Sequence, residues 1–183
     1  MTELQRVAVL ISLVENLKEK GSWCGETHMQ KAIYFLQTLF RVPTDFDYIL
    51  YKHGPFSFDL RDKLTALRAY DIFGLQIQPP PYGPSLIVKE VGESIKKAYS
   101  KSFERFKKEM DFVATVFENK NVAELERLST ALYIIKNEGV GRNKTIIASR
   151  INSLKPHVSL DEASSAVDDV LGIINQVKMQ ECA

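Results

Sequence analysis

Cys24 and His28 stand four positions apart and are the first residues here whose types could do chemistry. A histidine beside a cysteine can activate a thiol nucleophile, and the two side chains can also supply two ligands to a metal ion. Gly25 indicates that the pair spans the start of a helix, and no second pair of ligands has a suitable spacing. We therefore interpret the pair as structural, and we predict no catalytic residue, no metal and no cofactor.

A second candidate is the segment at 52–57, which reads Lys-His-Gly-Pro-Phe-Ser. Glycine permits a sharp turn, proline fixes φ at a helix entry, and the first amides of a following helix attract anions. His53, Phe56 and Ser57 are therefore candidate contacts for a phosphate group or for an acidic side chain of a partner. The alternative is a strand-to-helix corner in which glycine and proline only shape the chain.

A third candidate is the group of cations on the helix predicted after this segment. Arg61 and Arg68 are seven residues apart, so two turns place them on one face, with Lys63 to one side. At the position of a recognition helix, these three residues are candidate contacts for nucleic acid or for an acidic partner. Asp59 and Asp62 reduce the positive charge and count against DNA.

The composition is that of a globular protein without a strongly basic domain. The 183 residues include 24 Lys and Arg against 23 Asp and Glu, so the net charge of +1 gives no general attraction to nucleic acid. No apolar run reaches the ~18 residues of a membrane span, and the N-terminus has no pattern of a secretory signal. Cys24 and Cys182 are too far apart for a disulfide framework, so we expect a reducing cytoplasm.

Five elements are predicted to position these candidates. Apolar periodicity indicates helices at about 3–20 and 26–39, an aromatic and branched run indicates a strand at 46–51, and a third helix follows at about 58–69. Alternating residues around a proline-rich turn then indicate a β-hairpin at 72–88. The order helix, helix, strand, helix, hairpin is that of a winged helix-turn-helix.

The turn of this hairpin carries a run of three prolines and Tyr82 but no Lys or Arg. A wing that grips the DNA backbone normally offers cations to phosphates, because phosphate contacts dominate affinity. Tyr82 is therefore a candidate contact for a protein partner, unless the turn is merely a stiff wing. Trp23, between the first two helices, is either a lid on the core or an exposed anchor for a partner.

Beyond the hairpin the sequence predicts only helices. A long helix at about 92–117 has an aromatic face that is either core or the seam of a homodimer, and an opposite basic face that contacts a partner or is merely solvated. Three further helices are predicted at about 122–137, at 144–154 and from 159 onward. The predicted organisation is a winged-helix module at 1–90, a connecting helix at 91–118 and a helical C-terminal domain at 119–183.

Two segments of the chain resemble a known family. Residues 25–37 read Gly-Glu-Thr-His-Met-Gln-Lys-Ala-Ile-Tyr-Phe-Leu-Gln, and residues 51–60 contain the Gly-Pro-Phe-Ser step. Both are similar to the bacterial YwgA-like winged-helix family and to the related Panacea domains, the SocA-like antitoxins. The stretches at 125–131 and 154–159 are similar to the family's helical tail. The resemblance implies a winged-helix fold and, in the manner of antitoxins that neutralise a toxin, a protein partner.

We predict a mainly α fold with a small antiparallel β-hairpin or sheet, built as a winged helix-turn-helix module and a helical C-terminal part. The favoured function is a non-enzymatic binding protein, antitoxin-like or regulatory, whose winged-helix module contacts a toxin or another effector. The alternative is a sequence-specific DNA-binding transcriptional regulator whose third helix enters the major groove, acting as a dimer.

Overall fold

The computed structural model describes residues 1–79 and 83–181, so the predicted contact residue Tyr82 lies outside the described residues. The helices are α1 (Glu3–Glu19), α2 (Glu26–Phe40), α3 (Phe58–Ala69), α4 (Glu90–Ala98), α5 (Ser100–Glu104), α6 (Lys107–Val116), α7 (Val122–Asn137), α8 (Lys144–Leu154) and α9 (Leu160–Glu181). The strands are β1 (Ile49–Tyr51), β2 (Gly54–Phe56), β3 (Phe73–Gln76) and β4 (Ser85–Val88). The fold is mainly helical with small antiparallel sheets, as predicted.

The chain divides into two compact units, and both are discontinuous in sequence. The first unit contains residues 1–48 and 57–120, and the second contains residues 49–56 and the chain from 121 onward. Residues 49–56, which the sequence prediction places in the first module, therefore group with the C-terminal helices. No helix within residues 1–79 or 83–181 combines the length and the apolar surface that crossing a lipid bilayer requires.

The first unit is built around α1 and α2, whose apolar periodicity buries most of each helix. Thr2 begins α1 with a capping box, in which its hydroxyl accepts from the Gln5 amide and the Gln5 side chain accepts from the Thr2 amide. The edge of the Phe35 ring of α2 packs against Phe117, with the ring centroids 5.3 Å apart. The end of this unit's chain thus closes onto its core.

The entry to α3 is fixed by a buried pair of residues. The Gln30 side chain accepts a hydrogen bond from the Ser57 amide at 2.9 Å and donates one to the Ser57 carbonyl at 2.9 Å. The Ser57 hydroxyl then caps α3 by accepting from the Leu60 amide. Ser57 is thereby wholly buried, which satisfies the backbone polar groups at this corner without water.

The predicted β3–β4 hairpin is confirmed, with Phe73 opposite Val88 and Gln76 opposite Ser85. The loop before α2 holds its second strand, since the Leu86 amide donates to the Cys24 carbonyl at 3.0 Å. The half-buried Trp23 indole also donates to the Gly83 carbonyl at 3.0 Å. Trp23 therefore ties the β3–β4 hairpin to the loop before α2.

The prediction of one long helix at 92–117 is wrong, because the chain forms α4, α5 and α6 there. Tyr99 and Phe106 leave helical geometry, with φ of −116° and −113°. All three short helices contact α1, which has 17 residues and is about 26 Å long. A straight helix over 92–117 would be about 39 Å long and would overrun α1. The breaks let the chain bend and keep its apolar side on α1.

The second unit consists of the β1–β2 hairpin and helices α7, α8 and α9. The predicted strand at 46–51 is too long at its start, because the Gln37 side chain takes both the amide and the carbonyl of Phe46. Residues 54–56, predicted as a break, form β2 and pair with β1, so that Tyr51 stands opposite Gly54. β2 packs on α7, which begins with a capping box between Asn121 and Glu124.

Gly54 makes the closest approach of the β1–β2 hairpin to α7. Its φ is +84°, and a Cβ atom there would lie 2.9 Å from the Ser129 Oγ and 3.0 Å from the Thr130 Oγ1. Both hydroxyls belong to wholly buried residues, so neither can move into solvent. The hairpin can therefore reach α7 only with glycine at this position.

We expect Gly54→Ala to lower the free energy of unfolding by about 2–4 kcal/mol, since it combines backbone strain with a clash. Gly139→Ala is the matched control, because Gly139 has a φ of +66° but nothing within 4 Å of its Cβ position. The control should lose only about 1 kcal/mol, which is the strain alone. Urea denaturation measures both, and equal losses would contradict the close approach.

Candidate functional site

The structure divides the predicted contact residues between the two units. His53 and Phe56 belong to the second unit, in the β1–β2 hairpin. The remaining described ones belong to the first unit and begin or lie on α3: Ser57, Arg61, Lys63 and Arg68. Since the Ser57 hydroxyl caps α3 and is wholly buried, it offers no exposed surface to a ligand.

Carboxylates of the same unit neutralise two of the three predicted cations of α3. The Arg61 guanidinium lies 2.8 Å from the Asp62 carboxylate and stacks 5.1 Å over the Phe58 ring. The Lys63 ammonium forms an ion pair with Glu3. Burial lowers the pKa of Lys63 from its ordinary value. The helix thus presents less positive charge than its sequence suggests.

Arg68 is the third of these cations and is held differently. Its guanidinium donates to the Thr65 hydroxyl at 3.2 Å, and that hydroxyl donates to the Arg61 carbonyl at 3.0 Å. Arg68 is half-buried, and no carboxylate of the described residues pairs with it. It is therefore the member of this group with the most charge to offer a partner.

Cys24 and His28 are both buried in the first unit. The Cys24 thiol donates to the Val14 carbonyl at 3.7 Å, and burial raises the pKa of Cys24 to about 12. A thiol with this pKa stays protonated at neutral pH, which is the opposite of an activated nucleophile. Burial also lowers the pKa of His28, whose Nε2 lies 3.4 Å from the Lys120 carbonyl. Within the described residues, no three His, Cys, Asp or Glu side chains are placed to hold a metal ion.

The second unit contains a charged cluster centred on Lys155, which the sequence prediction does not include. Its side chain is only 7% exposed. The ammonium donates to the Tyr51 carbonyl at 3.0 Å and to the Lys52 carbonyl, and it lies 3.0 Å from the Glu126 Oε1. Two backbone carbonyls thus accept hydrogen bonds from the ammonium, and the ion pair with Glu126 balances its charge. Lys155 thereby ties the end of β1 to α7.

Glu126 is the shared anion of this cluster. Its side chain is 6% exposed, and its Oε2 lies 3.1 Å from the His53 Nδ1. His157 approaches from the other side, with its Nε2 3.6 Å from the Oε1. Burial alone would raise the pKa of Glu126, but hydrogen bonds and charges from His53 and Lys155 outweigh it and hold the pKa below its ordinary value. Glu126 is therefore ionised at neutral pH.

Three local structures place these side chains. Glu126 lies on the buried face of α7, and His53 lies in the two-residue turn between β1 and β2. Lys155 follows the last residue of α8, where its amide still donates to the Ile151 carbonyl at 2.8 Å. Pro156 cannot continue the helix, so the chain turns there and brings His157 beside Lys155. Both imidazoles face outward, with 67% of His53 and 65% of His157 exposed.

An open cavity of about 350 Å³ adjoins this cluster within the second unit. It is lined by Leu50, Tyr51, Lys52, Leu154, Lys155 and His157. Two lysines and a histidine thus face the cavity together with two leucines and a tyrosine. No acidic residue of the described chain lines it.

The sequence predicted His53 and the segment around it as a candidate site, but it did not predict Lys155 or Glu126. The Lys52-His53-Gly54 segment attracts attention because of its residue types, but Lys155 bonds to Tyr51 across 104 positions. Glu126 lies 73 positions from His53. The sequence gives no signal for Glu126, because the position after Leu125 lies about 100° further round a helix.

No model of a protein family matches the chain. No protein of curated function matches it either. The resemblance to YwgA-like proteins and Panacea domains therefore stays a prediction, and so does the winged-helix assignment.

We expect Lys155→Met to lower the free energy of unfolding by about 3–5 kcal/mol, because it leaves the buried Glu126 carboxylate without its main cation. It also leaves two hairpin carbonyls without their donor. Adding Glu126→Gln should restore part of the loss, since the uncompensated charge is then gone. Urea denaturation of the single and double variants measures the coupling.

Arg150→Met is the control for this experiment, since Arg150 pairs with Glu138 at the surface and its loss should hardly change the midpoint. An equal loss in both single variants would contradict a central role of Lys155.

The contribution of Glu126 to stability depends on pH in a definite direction. Because the pKa of Glu126 is depressed below 4.5, its contribution is complete above about pH 4.5 and is lost as pH falls through the depressed pKa.

We expect Cys24 to resist alkylation in the folded chain. A pKa of about 12 in place of 9.0 lowers the thiolate fraction at pH 8 roughly a thousandfold, and burial blocks access as well. The measurement is the iodoacetamide reaction of Cys182→Ser protein, followed by mass spectrometry with and without urea. Rapid labelling without urea would show that Cys24 is accessible and activated.

Proposed function

We propose that the protein is a non-enzymatic binding protein, antitoxin-like or regulatory, that contacts a protein partner through the β3–β4 hairpin and α3 of its first unit. The observation that carries this proposal is the apolar outer end of the hairpin. Ile77, directly after β3, is 89% exposed, and Leu75 is 43% exposed. Exposed apolar side chains at such a position indicate a surface that binds another protein.

These side chains extend an apolar run that begins in the core at the start of β3. Phe73 and Leu75 lie on one face of β3, since strand residues two apart share a side, and Ile77 follows the end of the strand. Phe73 is 1% exposed and anchors this face in the core, and exposure rises to 43% at Leu75 and 89% at Ile77. The hairpin thus carries an apolar edge away from the core that buries its base.

The charges of α3 favour a protein over DNA as the partner. Phosphate contacts supply most of the affinity of DNA-binding proteins, and they require cations that are not already neutralised. Arg61 and Lys63 are paired with carboxylates, which leaves Arg68. A single such cation beside an apolar hairpin suits a mixed protein interface, in which arginine is enriched.

The family resemblance points in the same direction, since Panacea domains resemble antitoxins that mask a toxin. Steric masking needs only a surface, and it fits the absence of an activated nucleophile at Cys24. The reduced, buried thiol also fits the cytoplasm as the place of action. A DNA-binding regulator is the competing function, and the following experiment separates the two.

The experiment captures partners from a lysate of the source cells on three immobilised baits: wild type, Ile77→Asp and Gln76→Asp. The two variants add the same charge at neighbouring positions, but only Ile77→Asp removes exposed apolar surface. We expect a protein that wild type and Gln76→Asp retain and that Ile77→Asp loses at least tenfold, with little dependence on salt. Partners identified by mass spectrometry are then confirmed with purified protein.

Titration of a labelled mixed-sequence duplex at low and at physiological salt completes the test. We expect no binding at physiological salt. Micromolar or tighter binding with a steep salt slope would instead favour the DNA regulator. Equal loss of the captured protein from both variants would show that charge, and not the apolar edge, governs the contact.

A further inference from the structure

We propose that the cavity beside the β1–β2 hairpin is a binding site for a small organic anion, in which an apolar body carries one carboxylate or phosphate group. The site lies wholly in the second unit and does not depend on the function proposed for the first. Its volume of about 350 Å³ falls at the lower end of the range for small-molecule sites.

The charge of the lining determines the sign of the ligand. Lys52, Lys155 and His157 line the cavity, and no acidic residue of the described chain does. Acidic and basic residues are nearly equal in the whole chain, so this one-sided lining is a local feature. Cations gathered around a concave surface raise the local concentration of anions.

Glu126 does not cancel this preference, because the Lys155 ammonium balances its charge. The carboxylate is 6% exposed and does not line the cavity, and its two oxygens are held by Lys155 and His53. The Lys155 ammonium forms an ion pair with Glu126 and donates to two backbone carbonyls. The positive charge available to a ligand therefore comes from Lys52.

Lys52 and His157 are suited to contact the anionic group. Lys52 is exposed, and no carboxylate of the described residues pairs with its ammonium. The bond from Lys155 to the Lys52 carbonyl fixes its backbone at the cavity wall. His157 has its Nε2 3.6 Å from the Glu126 Oε1, so its Nδ1 donates to an anion when the imidazole carries both protons. Lys52 therefore supplies the charge, and protonated His157 adds a second donor that defines the position of the anion.

The remaining lining residues determine the rest of the ligand. Leu50 and Leu154 contribute aliphatic surface, and Tyr51 contributes an aromatic ring that is 44% exposed. Inorganic phosphate alone would leave this surface in water, so the best ligand also brings an apolar group to cover it. An aromatic or short aliphatic acid meets both requirements.

The test is an amide-resolved NMR titration of the full chain at pH 7 with phenylacetate, phenyl phosphate, inorganic phosphate and the neutral phenylacetamide. We expect phenylacetate or phenyl phosphate to shift the amides of residues 50–52, 154, 155 and 157 with a dissociation constant of roughly 0.1–5 mM. Whichever binds more tightly identifies the anionic group. Phenylacetamide should bind at least tenfold more weakly, because it lacks the charge.

Three variants place the binding in this cavity. Lys52→Gln and His157→Gln should each weaken binding roughly threefold to tenfold, and both leave the backbone carbonyls that hold Lys155 in place. Lys178→Gln is the matched control, since it removes an exposed cation of the same unit that lies outside the lining. Its affinity should equal that of wild type, and the urea midpoints of all three should match wild type.

Four results would overturn the proposal. No shift with either aromatic anion at about 20 mM would show that the cavity is not a site. Equal binding of phenylacetamide would remove the requirement for charge. Inorganic phosphate as tight as phenyl phosphate would remove the requirement for an apolar body. An equal loss in Lys178→Gln would show that the anions respond to general surface charge.

Discussion

Burying the ammonium of Lys155 imposes the strictest requirement on the second unit. An unpaired charge in a protein interior costs several kcal/mol, so every proton of a buried ammonium needs an acceptor. The backbone carbonyls of Tyr51 and Lys52 accept hydrogen bonds from the ammonium, and the Glu126 carboxylate balances its charge. The same contacts that satisfy the charge therefore fix the position of the hairpin. The close approach of Gly54 to α7 depends on that position.

Charge is arranged differently in the two units, and this difference separates their proposed roles. In the first unit, carboxylates of the same unit neutralise Arg61 and Lys63, and the exposed feature is the apolar edge at Ile77. In the second unit, the anion Glu126 is buried, and Lys52 and His157 face the cavity. The proposed anion site therefore takes its positive charge from the β1–β2 hairpin and not from α3.

The sequence was sufficient where local rules decide the structure. Periodic apolar residues predicted α1, α2 and α7 within about two residues. It failed where distant residues decide. Phe46 leaves the strand because Gln37 takes its backbone groups, and the break at Tyr99 reflects the length of α1. Neither local propensity nor apolar periodicity takes account of the Gln37 contact to Phe46 or of packing against α1.

Lys155 and Glu126 were missed for the same reason. No short motif connects a helix-terminal lysine with a hairpin 104 positions earlier. Glu126 looked like one acidic residue among many, since an amphipathic helix tolerates a carboxylate anywhere except on its buried face. Whether that face of α7 is buried depends on the β1–β2 hairpin, which the sequence analysis interprets as a strand-to-helix corner. Residue types therefore located His53, and only the fold supplied its partners.

The discontinuous division of the chain also fixes an order of events during synthesis. The β1–β2 hairpin leaves the ribosome long before α7 and Lys155, and its contacts to them span 73 to 104 residues. Until the last third of the chain emerges, the hairpin is an unsupported loop between two completed parts of the first unit, and closing such long loops is slow. A chain that ends at residue 120 would keep the hairpin but lack Glu126, Lys155 and α7 altogether. Expressing the first unit alone therefore means replacing residues 49–56 with a short linker as well as removing the C-terminal helices.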